Sequence, residues 1–185
     1  MRHMLVQLPI GNLLSVVLAT DYLTLYRVVK FTTTVKAHAG ILEFAVNEFN
    51  AALEKLKGIK NLLFSLTFEP IPVPMIQQSN DRGANAINLK TSDGPLVVIL
   101  LYTSWDEASE TDSIYKVNQE ALRNIEKEAG AKSVSATYRY LNYTFPHQDA
   151  VGSYGDVSKT KLWEVSAKYD PDGFFQTAGA WPFKL

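Results

Sequence analysis

Apolar residues recur along this chain with two periods. Between Gly40 and Gly58, Leu42, Val46, Phe49, Leu53 and Leu56 return at intervals of three and four, the spacing that lines one side of an α-helix. Glu43, Asn47, Glu54 and Lys57 fall on the opposite, solvated side, and Gly58 stands where such a helix would stop. From Leu62 to Phe68 the period drops to two, which predicts a strand with Leu62, Phe64, Leu66 and Phe68 on its buried face. The prolines at 70, 72 and 74 remove ladder donors, so the segment Glu69 to Pro74 is expected to end the strand after Phe68.

Met75 to Gly83 suits a short helix, Ser92 to Pro95 a turn, and the apolar run Leu96 to Leu101 a strand buried on both faces. Trp105 to Gly130 is the longest predicted helix. Its acidic start suits the helix dipole, and Ile114, Val117, Ala121, Ile125 and Ala129 form its stripe. Ser133 to Tyr143 is predicted as a third strand. Asp156 is expected to cap a helix through about Lys168, with Leu162, Val165 and Tyr169 inward. Strands alternating with long helices over residues 41 to 169 describe an α+β layer, an antiparallel sheet covered by helices.

The start of the chain reads less clearly. Leu5 to Leu8 and Leu13 to Leu18 suit the strands of a hairpin turning at Pro9, Gly11 and Asn12. A signal peptide is the alternative, although polar residues interrupt the segment and its longest apolar run is too short for a membrane span. A cytoplasmic location is the expectation. Tyr22 to Val29 suits a short helix and Phe31 to Val35 a strand.

Composition narrows the chemistry. The formal net charge is -1 with both signs interspersed, so neither nucleic acid nor an anionic membrane is an expected partner. Without cysteines the chain forms no disulfide and uses no thiolate. The three histidines lack ligand spacing, so no metal site is expected. The glycines form neither G-x-G-x-x-G nor a phosphate loop. Asp170-Pro171-Asp172-Gly173 resembles the opening of a calcium loop but lacks its later ligands, which leaves a β-turn.

Candidate chemistry concentrates between Tyr138 and Tyr154, where Tyr138, Tyr140, Tyr143, Phe145 and Tyr154 surround Asn142. Strand alternation would set Tyr138, Tyr140 and Asn142 on one face and Arg139, Leu141 and Tyr143 on the other. A buried phenol or amide without a partner costs roughly 1–3 kcal/mol, and a planar, polar-edged ligand would supply partners. The same residues also suit a half-exposed strand end with hydroxyls in water. Asn142-Tyr143-Thr144 is an N-glycosylation sequon, and a glycan there would exclude a ligand.

Several short motifs then occur in order: Phe68-Glu69-Pro70-Ile71-Pro72, Ser92 to Val97, Ser104-Trp105-Asp106, Tyr140-Leu141-Asn142-Tyr143, Gln148-Asp149, Ser153-Tyr154-Gly155, residues 168 to 176 and the terminal Phe-Lys-Leu. With them the chain from about Leu62 onward resembles the C-terminal part of the fungal FAD-linked oxidoreductases of the berberine-bridge-enzyme-like group, in the vanillyl-alcohol-oxidase (PCMH-type) superfamily. The resemblance implies a substrate domain over residues 41–185 that roofs an FAD held mostly by another domain. Residues 1–40 would be a remnant of that FAD-binding domain, with Leu8 to Asn12 as a turn and Ala19 to Lys30 as a helix. The glycine-rich run and most of the FAD-binding half are missing.

On this resemblance Asn142 and Tyr140 contact the cofactor, and Tyr143 or Tyr140 is the base that takes a proton from an alcohol or similar small-molecule donor of secondary metabolism. Arg139 could assist only Tyr143, whose face it shares by alternation. Function then requires a partner chain supplying the FAD-binding half, and the exposed docking face implies a homodimer as the alternative. Two other readings remain: a non-catalytic pseudoenzyme or small-molecule-binding scaffold, and a flavin-independent enzyme of the same lineage.

Overall fold

A computed structural model describes residues 27–83 and 85–177. Arg27–Lys36 form β1, Ala39–Leu56 α1, Leu63–Ile71 β2 and Val73–Asp81 α2. Leu96–Trp105 form β3, Thr111–Ala131 α3, Ser135–Ala136 β4, Asp156–Tyr169 α4 and Phe174–Thr177 α5. The strands make one antiparallel sheet in the order β2-β3-β1-β4, so the α+β class holds. The hairpin expected near the start, most of the residue 19–30 helix and the aromatic tail beyond Thr177 lie outside the described residues. Arg27 to Lys30 are strand rather than helix, because β-branched and aromatic residues from Val28 to Val35 pair along the whole of β3.

The central strand is β3, buried along nearly its whole length. Val97, Ile99, Leu101 and Trp105 face α1 and α3, which pack side by side on that face. Phe64, Leu66 and Phe68 of β2 join them, as the alternation predicts. The stripe of α1 is rotated from the expected one: Ile41, Ala45, Ala52 and Leu56 are buried, whereas Val46 and Leu53 are exposed. Alanines at 45 and 52 let the backbone of α1 come close to its neighbours, and the larger side chains were not needed there.

Three expected boundaries shift. β2 continues through Pro70 to Ile71. Thr32 turns its backbone N–H and C=O away from β3, so the alternation along antiparallel pairs directs Glu69 and Ile71 toward β3 and Pro70 outward. An edge strand loses nothing at that position. The long helix starts at Thr111, not Trp105, because the indole ends β3 fully buried. In α4, Asp156 is the first helical residue and Gly155 precedes it with φ 86°; Val165 and Tyr169 are exposed, and only Leu162 packs inward.

The largest departure concerns Ser133 to Tyr143. Only Ser135–Ala136 pair as strand, opposite Thr34 and Val35. Beyond them the chain leaves the ladder, crosses the outer face of the sheet and tightens into a single 3₁₀ turn at Leu141–Tyr143. The edge of β1 is instead completed by a side chain. The Gln148 amide donates Nε2–H to the Thr32 carbonyl at 2.7 Å and accepts the Thr32 N–H at 3.3 Å, standing in for a strand residue.

Candidate functional site

On the outer face of the sheet, register sets Lys30, Tyr102 and Ser65 in one row, Thr32, Leu100 and Thr67 in the next, and Thr34, Val98 and Glu69 in a third. Residues 138 to 154 lie over part of this face. Tyr138 and Tyr154 stack with centroids 6.0 Å apart and bury Val98. Burial raises both phenols above the ordinary range near 10.

The 3₁₀ turn changes which residues meet. It sends the Tyr143 ring against Tyr140, edge to face at 4.8 Å, while the Asn142 amide donates to the Tyr140 hydroxyl at 2.9 Å. Tyr140, Asn142 and Tyr143 therefore gather in one place, although alternation had separated Tyr143 from the other two. The Thr144 hydroxyl holds the turn by donating to the Tyr140 carbonyl at 2.8 Å.

Two residues not singled out in the sequence complete the group. The Tyr143 hydroxyl donates to Glu69 at 2.9 Å, and the Lys30 ammonium lies 5.3 Å from the centre of the Tyr143 ring. Desolvation, and then the Glu69 carboxylate that accepts its proton, push the Tyr143 phenol up to about 12. A neutral phenol is the resting form. The signal for Glu69 was its place one residue before Pro70 in a strand; only the register shows it to share a face with the tyrosines.

Arg139 goes elsewhere. It pairs with Glu126 of α3 at 2.6 Å and donates to the Thr33 hydroxyl at 2.6 Å, so it cannot assist Tyr143. Its own backbone N–H is held by Ser153 at 2.9 Å. Behind it, between α3 and residues 136 to 159, opens a hollow of about 860 Å³ bordered by Phe31, Leu122, Arg123, Phe145, Gln148 and Lys159. That hollow is on the helix side of the sheet. The tyrosine cluster faces the other side.

Among the described residues no group of three or more histidine, aspartate or glutamate side chains is placed to hold a metal ion, and no helix is long and apolar enough to cross a membrane. Asp170 closes its turn by accepting the N–H groups of Phe174 and Phe175.

No known family profile matches the chain, and no solved structure does. Curated fungal proteins do. The FAD-dependent monooxygenase drtC of Aspergillus calidoustus is 26% identical over 163 residues, 86% of this chain and 31% of that protein. The FAD-dependent monooxygenase sdcF of Emericella nidulans is 30% identical over 164 residues, 86% of this chain and 34% of its own length. The FAD-dependent monooxygenase tpcD of Cochliobolus heterostrophus is 30% identical over 152 residues, 79% of this chain and 29% of its own length. The chain thus spans about a third of the length of the relatives it matches, and FAD is the cofactor for which those fungal proteins are named.

Proposed function

We propose that this chain is the substrate-facing part of an FAD-linked oxidoreductase of the berberine-bridge-enzyme-like type, acting on a small-molecule alcohol or similar donor once a partner chain supplies the FAD-binding part. The observation that carries it is the gathering of Tyr140, Asn142, Tyr143, Glu69 and Lys30 at the outer face of the sheet. Two phenols, an amide and a charge pair offer hydrogen bonds and ring faces to one side of a flat, polar-edged heteroaromatic. The residues fit the ring side of such a cofactor. They do not fit its diphosphate side, since the described glycines with positive φ, at 58, 83, 94, 155 and 173, occupy separate turns instead of one phosphate-binding loop.

When bound, the flavin supplies the two-electron acceptor. This chain's residues supply the proton path. A substrate hydroxyl hydrogen-bonded to the Tyr143 oxygen gives its proton to that oxygen as the Tyr143 proton passes to Glu69, so the net transfer is from substrate to carboxylate. Because Tyr143 rests neutral, Glu69 is the base and Tyr143 the relay. Asn142 and Tyr140 orient the turn and meet the ring.

A second reading is a pseudoenzyme that binds a small molecule without redox chemistry; among the described residues the positive-φ glycines form no phosphate-binding loop. Mixing the purified chain with FAD and the separately expressed FAD-binding part of sdcF decides between them. The expected result is retained flavin absorbance near roughly 450 nm in the mixture, with Tyr143→Phe lowering turnover about 100-fold or more. A mixture that stays colourless after gel filtration overturns the oxidoreductase reading.

A further inference from the structure

Between Tyr143 and Phe145 the chain passes around the edge of β1. The Tyr143 ring lies on the outer face beside Lys30, whereas Phe145 packs on the helix side, stacked on Phe31 at 4.5 Å and edge-on to Tyr115 at 5.2 Å. One side chain holds this crossing. The Gln148 Oε1 accepts the Phe145 N–H at 3.1 Å and the Thr32 N–H at 3.3 Å, while its Nε2–H donates to the Thr32 carbonyl at 2.7 Å. The Gln148 N–H in turn donates to the Phe145 carbonyl at 2.8 Å. Thr32 and Phe145 therefore each have both backbone groups bonded to the same residue.

Resting on the proton relay from Tyr143 to Glu69 read above, we propose that Gln148 is its positioning residue: by bonding Thr32 and Phe145 at once, it fixes the 3₁₀ turn at the height along β1 where the Tyr143 hydroxyl meets Glu69. The turn does not fix its own height. The Tyr143 and Thr144 N–H groups bond back to the Tyr140 and Leu141 carbonyls, and the Thr144 hydroxyl bonds the Tyr140 carbonyl. Those bonds shape the turn without tying it to the sheet.

Ring contacts constrain it less than the amide does. Phe145 on Phe31 and Tyr140 on Tyr143 are apolar contacts, which tolerate sliding because burial of apolar surface is non-directional. An amide bonded at both ends tolerates little, since hydrogen bonds weaken steeply as distance and angle depart from their optimum. Glu69 stands on β2, two strand spacings or about 10 Å from β1, and the Tyr143 hydroxyl meets it at 2.9 Å. A drift of about 1 Å in the turn would carry that contact beyond hydrogen-bond length.

Tyr143 itself reports the effect, with neither flavin nor substrate present. Tyrosine Cζ resonances, assigned with Tyr143→Phe, follow phenol ionisation by NMR in the full chain. In the parent, Tyr143 is expected to stay neutral up to about 12. In Gln148→Leu it is expected to titrate lower, toward the ordinary value near 10, so that its phenolate fraction at about pH 11 rises several-fold. Tyr138 and Tyr154, stacked on each other over Val98, are expected to stay raised. Should Gln148→Leu fail to fold, Gln148→Asn, which draws the amide back by one methylene, gives the same comparison and the same expected shift. Ile125→Ala loosens the helix side instead and is expected to leave Tyr143 at about 12. Tyr143 unmoved in a folded Gln148 variant, all three phenols falling together, or an equal fall in Ile125→Ala would each overturn the proposal. A colourless mixture in the flavin experiment, with Tyr143 still displaced in Gln148→Leu, would end the oxidoreductase reading and leave the positioning role standing.

Discussion

Val98 and Ile99 are neighbours in β3 and both are buried, yet different kinds of cover bury them. Ile99 lies under α1 and α3 among Ile41, Ala45, Ile125 and Ala129, a helical layer whose apolar positions repeat. Val98 lies under Tyr138 and Tyr154, in an irregular segment fixed by individual bonds: Gln148 to Thr32, Arg139 to Glu126 and Thr33, Ser153 to Arg139, and Tyr143 to Glu69. The first cover is non-directional and redundant, so it stabilises. The second puts polar groups at fixed places over a sheet face, which is what a site requires.

The largest effect is expected on the helix side. Ile125 is fully buried between α3 and the sheet, so Ile125→Ala is expected to lower unfolding stability by about 2–5 kcal/mol, measured by urea denaturation. The same face contains one polar exception. Asn118 is 0% exposed, bonds Thr103 and the Ile114 carbonyl, and would leave the Thr103 hydroxyl unpaired if replaced by leucine.

On the loop side the largest expected effect is at Gln148. Its side chain pairs with both backbone groups of Thr32 and accepts the Phe145 N–H at 3.1 Å. Gln148→Leu keeps the bulk and strands those groups, which should cost roughly 1–3 kcal/mol and speed exchange of the Thr32 amide. An unchanged midpoint with fast exchange would mean the segment is held by ring packing alone, with Phe31 stacked on Phe145 at 4.5 Å.

The same division decided what the sequence made readable. Elements under the helical layer are legible because periodicity is a physical requirement of a two-layer core: α1 and β2 stand within a few residues of where the apolar repeats put them, while β3 runs on past Leu101 to Trp105 and α3 starts at Thr111 instead of Trp105. Errors there came from size, as at Ala45 and Ala52, where small residues rather than large ones face inward. The loop side was legible in composition and not in geometry. Tyr140, Asn142 and Tyr143 are distinctive as residues, but a two-residue period sets Tyr143 on the face of Arg139, and a 3₁₀ turn in place of the strand returns it to Tyr140 and Asn142; Arg139 does point to the opposite, helix side, as alternation predicts. Glu69 and Lys30 join the cluster only through strand register, from 74 and 113 positions away.

A phenol held at about 12 in the folded chain against an ordinary value of 10 favours folding while it stays protonated. That contribution is complete below pH 10, where the unfolded phenol is also neutral, and is lost as pH rises through about 12. Stability is therefore expected to fall across that window, less steeply in Tyr143→Phe than in the parent chain. Tyr138 and Tyr154, also raised by burial, keep part of the slope in the variant. Equal slopes would show that Tyr143 is as solvated folded as unfolded, and would remove the neutral phenol from the proton path.

The smallest effect belongs to the ion pairs on the helical layer. Lys55 of α1 donates to Glu120 of α3 at 2.9 Å, and this hydrogen bond, with the lysine charge behind it, lowers the Glu120 carboxyl below its ordinary value. A depressed carboxyl adds stability above its ordinary value and loses it as pH falls through the folded one. Both partners are exposed, however, and water and salt screen such a pair. Glu120→Gln is expected to leave the urea midpoint unchanged at neutral pH and ordinary salt. A clear loss would mean that α1 and α3 are joined by charge across their rim, and the apolar stripe of Ala52, Leu56, Ala121 and Leu122 would no longer account for their packing.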